Sequence, residues 1–192
     1  MINLSRDIDD IIDEYLITFY YGVMIRKEIH SAMQEFTLPA YHEIPDVGLY
    51  LDQVTKYLNS YFSKFPDFTV TPSMITNSVK QKLVKRLNKK TYTRDQIAQF
   101  IFISIAKTVL SLDHIRTLLS REANAESFEN SYNYFRTILL HVLAEIGPGK
   151  ALFADNKKLT EDEEMLEYIA VTAGHKMFLE KYFALSEEVS SD

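Results

Sequence analysis

A chain of 192 residues with 46% hydrophobic and 25% charged side chains buries one good-sized core, and only 5 Gly and 5 Pro point to long regular elements. The absence of cysteine excludes disulfides, thiolate metal sites and a cysteine nucleophile. The formal net charge is −6, but it is unevenly spread along the chain.

Residues 7–34 read as one long helix. Asp7, Asp9, Asp10, Asp13 and Glu14 crowd its first turns, which suits the positive end of the helix dipole. Ile8, Ile11, Ile12, Tyr15, Phe19 and Val23 follow helical spacing, and Ile17, Tyr20, Tyr21 and Met24 make the middle apolar almost all round. Such a helix is covered on more than one side, either within the monomer or by a second copy. The run Ile-Thr-Phe-Tyr-Tyr also has good strand propensity, which makes a strand the alternative there. The acidic start is unlike a secretion signal, and the longest apolar run, 15–25, is short of the roughly 20 residues needed to cross a bilayer.

A proline-bracketed connector, FTLPAYHEIPD (36–46), leads to a helix expected from about 47 to 62. Its buried stripe is expected to be Val47, Tyr50, Leu51, Val54, Tyr57, Leu58, Tyr61 and Phe62. In the following turn, SKFPDFTV, Phe65 and Phe68 are expected to plug into the core.

Residues 71–94 carry seven cations (Lys80, Lys82, Lys85, Arg86, Lys89, Lys90 and Arg94) and no acid. The rest of the chain holds 14 basic against 27 acidic residues, a net of −13. Thr71-Pro72 reads as an N-cap with proline at the first helical position, Thr93 with Gln96 as a capping box, and Ser111 as a further N-cap. These signals predict helices near 72–83, 94–109 and 112–120. On the first, Ile75, Val79 and Leu83 share one face, and Ser73, Asn77, Lys80 and Gln81 the opposite one, with Thr76 on its flank. Short hydrogen-bonding side chains and a cation suit base edges and phosphates. The segment VKRLNKKTY predicts a small two-stranded wing, pinned by Tyr92, with Lys89 and Lys90 near its tip. Ile97, Phe100, Ile101, Ile105 and Leu110 mark the next helix as the hydrophobic centre. SREANAE (120–126) is a polar connector and a candidate subdomain boundary.

The C-terminal part reads as an antiparallel helix pair. Phe128, Tyr132, Phe135, Leu139, Val142 and Ile146 step by three or four, and GPG at 147–149 turns the chain. Thr160 with Glu163 forms another capping box, before a stripe of Leu166, Ile169, Ala170, Ala173, Met177, Phe178 and Tyr182. The five histidines show no tight metal spacing; His141 and His175 meet only if the last two helices pair. With no glycine-rich phosphate loop and no serine in a nucleophile elbow, no enzymatic activity and no cofactor are expected.

The order TPSMI-x5-QKLV, KKTYT-x2-QI, LSLDHIRTLL resembles the DNA-binding half of the MerR winged-helix regulators. That resemblance implies that Thr76, Asn77, Lys80, Arg86 and Tyr92 face DNA or support the wing. Where that family has Arg-Tyr-Tyr in the recognition helix, this chain has Thr76-Asn77-Ser78. Lys82 stands where glycine ends that helix, so it must turn left-handed or let the helix run on. Over nearly the whole chain, LPAYHEIPDVGLYLDQV, ITNSVKQKLV, KKTYTRDQIAQFIF and AGHKMFLEKY resemble the uncharacterised bacterial family called domain of unknown function eighteen thirty-six. That likeness implies a fold and suggests a regulator.

The expectation is therefore a mostly α protein: a MerR-like winged helix-turn-helix with a small β-wing over 38–120, embedded in a helical remainder (1–37 and 121–192) with long N- and C-terminal helices. The expected function is a cytoplasmic, homodimeric transcription regulator that binds double-stranded DNA. Ser73, Thr76, Asn77 and Lys80 lie at the groove, Lys85, Arg86, Lys89 and Lys90 on phosphates, and Tyr92 at the wing. The alternative is a helical protein-interaction or small-molecule-sensing module that keeps the winged-helix fold without binding DNA.

Overall fold

A computed structural model describes residues 8–85, 90–122, 128–146 and 159–190. The chain is mostly helical. In order it forms α1 (Ile8–Gln34), β1 (Leu49–Tyr50), α2 (Leu51–Phe62), α3 (Pro72–Lys80), β2 (Thr91–Tyr92), α4 (Arg94–Ala106), α5 (Leu112–Glu122), α6 (Phe128–Glu145) and α7 (Glu161–Ser190). Two short 3-10 turns, Tyr41–Glu43 and Pro66–Phe68, shape the connectors.

The central element is α4. Nearly every side chain from Gln96 to Ala106 is buried, because α4 packs on α2 on one side and on α6 and α7 on the other. One continuous core joins Ile29 and Met33 of α1, Val54, Leu58 and Phe62 of α2, Ile75 of α3, and Leu139, Leu166 and Met177 of the last two helices. The helix stops at Ala106, three residues before the expected end, where 107–109 tighten into a turn. The connector 36–46 is tied to α6 by hydrogen bonds that satisfy its free backbone: Tyr132 Oη to the Pro39 carbonyl (2.9 Å), Arg136 Nε to the Leu38 carbonyl (2.7 Å), and the Tyr41 amide to Asn133 Oδ1 (2.9 Å).

The eight-residue turn between α2 and α3 is packed. Phe65 and Phe68 are buried as expected, the first edge-on to Phe36 at 5.2 Å and the second beside Phe62 at 5.9 Å. The Asn59 carboxamide holds both backbone groups of Val70, donating to its carbonyl at 2.8 Å and accepting from its amide at 2.9 Å. That pair fixes where the chain enters α3.

Four expectations need correction. First, α2 starts at Leu51, and Val47 (70% exposed) and Tyr50 (57%) lie outside its buried stripe. The chain there is extended and pairs as a strand. Second, the strand at Thr91–Tyr92 does not pair with its own segment. It pairs antiparallel with β1, Leu49 opposite Tyr92 and Tyr50 opposite Thr91, because Leu83 and Val84 turn into the core instead of forming a strand. Gly48 makes the approach feasible, since a Cβ there would lie 2.7 Å from Thr91 Oγ1.

Third, α6 and α7 run in the same direction. Tyr134 Oη donates to Glu167 Oε1 at 3.0 Å, and eight residues further along α6, Val142 lies against Gly174, seven residues further along α7. Contacts that advance together on both helices require a parallel pair. Fourth, Tyr182, expected in the buried stripe of α7, is exposed; and of the two covers expected for the apolar middle of α1, the one within the chain does not form, since Phe19 (70% exposed) and Val23 (48%) are uncovered. None of the described helices is long and apolar enough to cross a membrane.

Candidate nucleic-acid interface

The candidate surface is built on α3. Thr71 caps it, its oxygen accepting from the Met74 amide at 3.2 Å, and Pro72 occupies the first helical position without wasting a donor. The C-terminus closes in a Schellman arrangement. The Lys82 amide donates to the Val79 carbonyl at 3.1 Å and the Leu83 amide to the Ser78 carbonyl at 2.9 Å. Lys82 takes the left-handed conformation (φ 59°) that this closure demands, one of the two outcomes expected of a lysine at a glycine position. The helix thus ends at Lys80 and sends Leu83 and Val84 inward.

Ile75 faces the core and Val79 its edge, while Ser73, Asn77 and Lys80 are exposed on the opposite side. Ser73 Oγ lies 2.9 Å from Thr71 Oγ1. Thr76 is half-buried, and its hydroxyl proton is committed to the Pro72 and Ser73 carbonyls (3.1 and 3.0 Å), so it offers a partner only lone pairs and a methyl group. Asn77 also borders a cleft of about 240 Å³ that runs between α3 and α4 as far as Lys107. Burial holds the Lys107 ammonium below the usual lysine range, with Asp67 opposing that shift.

Lys82, Lys85 and Lys90 are exposed beside this face. Among the described residues, no ion pair involves Lys80, Lys82 or Lys85. Arg86 and Lys89 lie outside the described residues. Tyr92 is half-buried and packs edge-on to Phe100 at 5.5 Å, pinning the exit of the basic segment to α4. Arg94 does not join the cationic surface. Its Nε donates to the Ile44 carbonyl at 2.8 Å and its guanidinium covers the Tyr41 ring at 5.6 Å.

Two residues were missed by reading the sequence. Arg116 reaches back from α5 to the Gln81 carbonyl at 3.3 Å and pairs with Asp113, adding a cation at the C-terminal end of α3. Gln96, only 2% exposed, holds both ends of the basic segment: its Oε1 accepts from the Thr93 amide at 2.9 Å and its Nε2 donates to the Lys85 carbonyl at 2.7 Å. Only half of the expected capping box forms, because Thr93 Oγ1 is buried without a partner. The capping box explained a helix start and hid the second bond, which joins residues 11 apart in sequence.

Elsewhere the surface offers little chemistry. His175 Nδ1 lies 2.8 Å from the Val171 carbonyl of its own helix, and no group of three or more His, Asp or Glu side chains among the described residues is arranged to hold a metal. A cleft of about 410 Å³ between α5 and α7 is floored by Leu110, Leu118 and Ile169 and closed at one end by Arg121, which bridges Glu161 (3.3 Å) and Asp162 (3.5 Å).

Comparison with curated proteins and with solved structures finds no match. The family model described as Domain of unknown function (DUF1836) matches residues 39–135, which run from the connector before α2 into α6 and contain the whole α3 surface. Because that match covers just over half of the 192 residues, the chain belongs to this family of unknown function.

Proposed function

We propose that the chain is a DNA-binding transcription regulator of MerR-like winged-helix type, with α3 as its recognition helix and the basic segment 84–92 in the place of the wing. The observation that carries this reading is the exposed face of Ser73, Asn77 and Lys80, bordered by Lys82 and Lys85 with no paired acid among the described residues. Asn77 is suited to a base edge, Lys80, Lys85, Arg86, Lys89 and Lys90 to phosphates, and Tyr92 to holding the wing. Two half-sites would require a homodimer.

Selection from random duplex DNA, repeated at rising salt, tests it. The expected result is a short enriched motif whose affinity falls steeply with salt. Lys85→Glu combined with Arg86→Glu should cut binding by at least about a hundredfold while leaving the helical circular dichroism unchanged. No enrichment, or indifference to that double change, overturns the proposal.

The second reading is an interaction or small-molecule-sensing module without DNA binding. The net charge of −13 outside the basic segment favours it, since acidic bulk repels phosphate. The cleft between α5 and α7 is where a small effector would sit in either reading.

A further inference from the structure

Among the described residues, six of the thirteen exposed large hydrophobic side chains fall between residues 16 and 24 of α1. Leu16, Phe19, Tyr20 and Val23 recur at three- and four-residue spacing, which places them on one face, with Phe19 70% exposed and Tyr20 63%. Leu179 and Phe183 of α7, the helix that packs beside α1, are also uncovered. The four side chains of the α1 face alone leave on the order of 500 Å² of largely apolar surface in water. Contiguous apolar patches beyond a few hundred Å² are rare on monomers and mark interaction surfaces.

We propose that this face of α1 is the interface between two copies of the chain, with the two α1 helices antiparallel and Tyr20 meeting Tyr20 of the second copy. Charge decides both the occupant and the orientation. Residues 15–25 carry no charge, Asp9, Asp10, Asp13 and Glu14 precede them, and Arg26 and Lys27 follow. A parallel second copy would set acid against acid and base against base. An antiparallel copy centred on residue 20, the midpoint of the uncharged run, sets the acidic turns of each helix beside the basic pair of the other. The strip thus complements itself without a different partner. This interface is independent of DNA binding, so its test is read without DNA.

Sedimentation velocity of the full chain from about 1 to 50 μM should give twice the 22.3 kDa chain mass. Phe19→Glu combined with Val23→Glu should return it to a single-chain mass and weaken association at least about a hundredfold, with circular dichroism unchanged because both side chains are exposed. The natural chain has no cysteine, so single substitutions report orientation under mild oxidation. Tyr20→Cys should cross-link with itself, and Leu16→Cys should cross-link with Met24→Cys in a mixture but with neither alone. A single-chain mass across the whole range, as expected if a different protein covers the strip, overturns the proposal. So does a dimer indifferent to the double glutamate change, or one in which Leu16→Cys links to itself.

Discussion

Gln96 Nε2 donates to the Lys85 carbonyl across 2.7 Å, joining the first buried turn of α4 to the chain just after α3. The same carboxamide accepts from the Thr93 amide, so one buried side chain closes both ends of the 85–93 segment. Lys85 and Thr93, on either side of Arg86–Lys89 in the sequence, are therefore held by the same side chain.

Gln96→Leu keeps the side-chain bulk and leaves the Lys85 carbonyl and Thr93 amide without their partner. The expected cost is about 1–3 kcal/mol, read from the urea midpoint, because buried backbone groups lose hydrogen bonds that water replaces poorly. Gln96→Glu retains the acceptor for Thr93 but turns the Lys85 side of the pair repulsive, so it should lie between the native chain and Gln96→Leu at acidic pH and approach Gln96→Leu at neutral pH.

Lys82 sits at φ 59°, in the left-handed region where a Cβ crowds the following carbonyl. Lys82→Gly removes that crowding while the Schellman bonds to Val79 and Ser78 remain available. The expected gain is about 0.5–1 kcal/mol in thermal or urea unfolding. Lys82→Val, branched at Cβ, should cost more than about 1 kcal/mol by the same measurement. A loss of stability in the glycine variant would show that the lysine side chain contributes more than its conformation costs.

Helix positions were legible because their start signals are local. Thr71-Pro72, Ser111 and the Thr160–Glu163 box all stand where expected, the last with both reciprocal bonds at 2.8 and 3.2 Å. The apolar run of α4 announced the core for the same reason. What was not legible is non-local. Pairing Leu49 with Tyr92 joins residues too far apart for any local pattern to record, and it also exposes Tyr50, which helical spacing had placed inward. Gly-Pro-Gly after α6 suggests a tight reversal, yet α7 runs parallel to α6, with Val142 against Gly174, a non-local contact that no local pattern records. On the candidate surface, the exposed Ser73, Asn77 and Lys80 were readable from one helix wheel. The removal of Arg94 from it was not, because its partners Ile44 and Tyr41 lie about fifty residues away.

Gly174 is buried against Val142 and Leu143 of α6. A Cβ built there falls 2.6 Å from Val142 Cγ1, itself fully buried. Gly174→Ala must therefore push the helices apart or force Val142 off its rotamer, at an expected cost of about 1–3 kcal/mol despite the better helix propensity of alanine. Val142→Ala in the same chain should recover part of that loss, because it vacates the space the new methyl needs. Thermal unfolding of the two single variants and the double variant measures the coupling; strict additivity would contradict the close approach.

Four phenols titrate above their ordinary value of 10.0, with burial the largest cause for each: Tyr41, Tyr57, Tyr132 and Tyr134. Tyr41 and Tyr134 also donate to the carboxylates of Asp95 and Glu167, which resist a second negative charge. The folded chain therefore holds these protons more tightly than the unfolded chain does. Below about pH 10 both states are protonated and the contribution to stability is constant; above it the unfolded state ionises first and the contribution falls as pH rises. The melting temperature should be flat from about pH 8 to 9.5 and drop between 10 and 11.5, while phenolate absorbance appears in step with unfolding and not before it. Tyr132→Phe should lower the plateau, since the Pro39 carbonyl loses its donor, and should flatten the alkaline drop, since one buried phenol no longer titrates. An unchanged drop in that variant would mean that the loss of stability comes from the other three phenols or from lysine deprotonation.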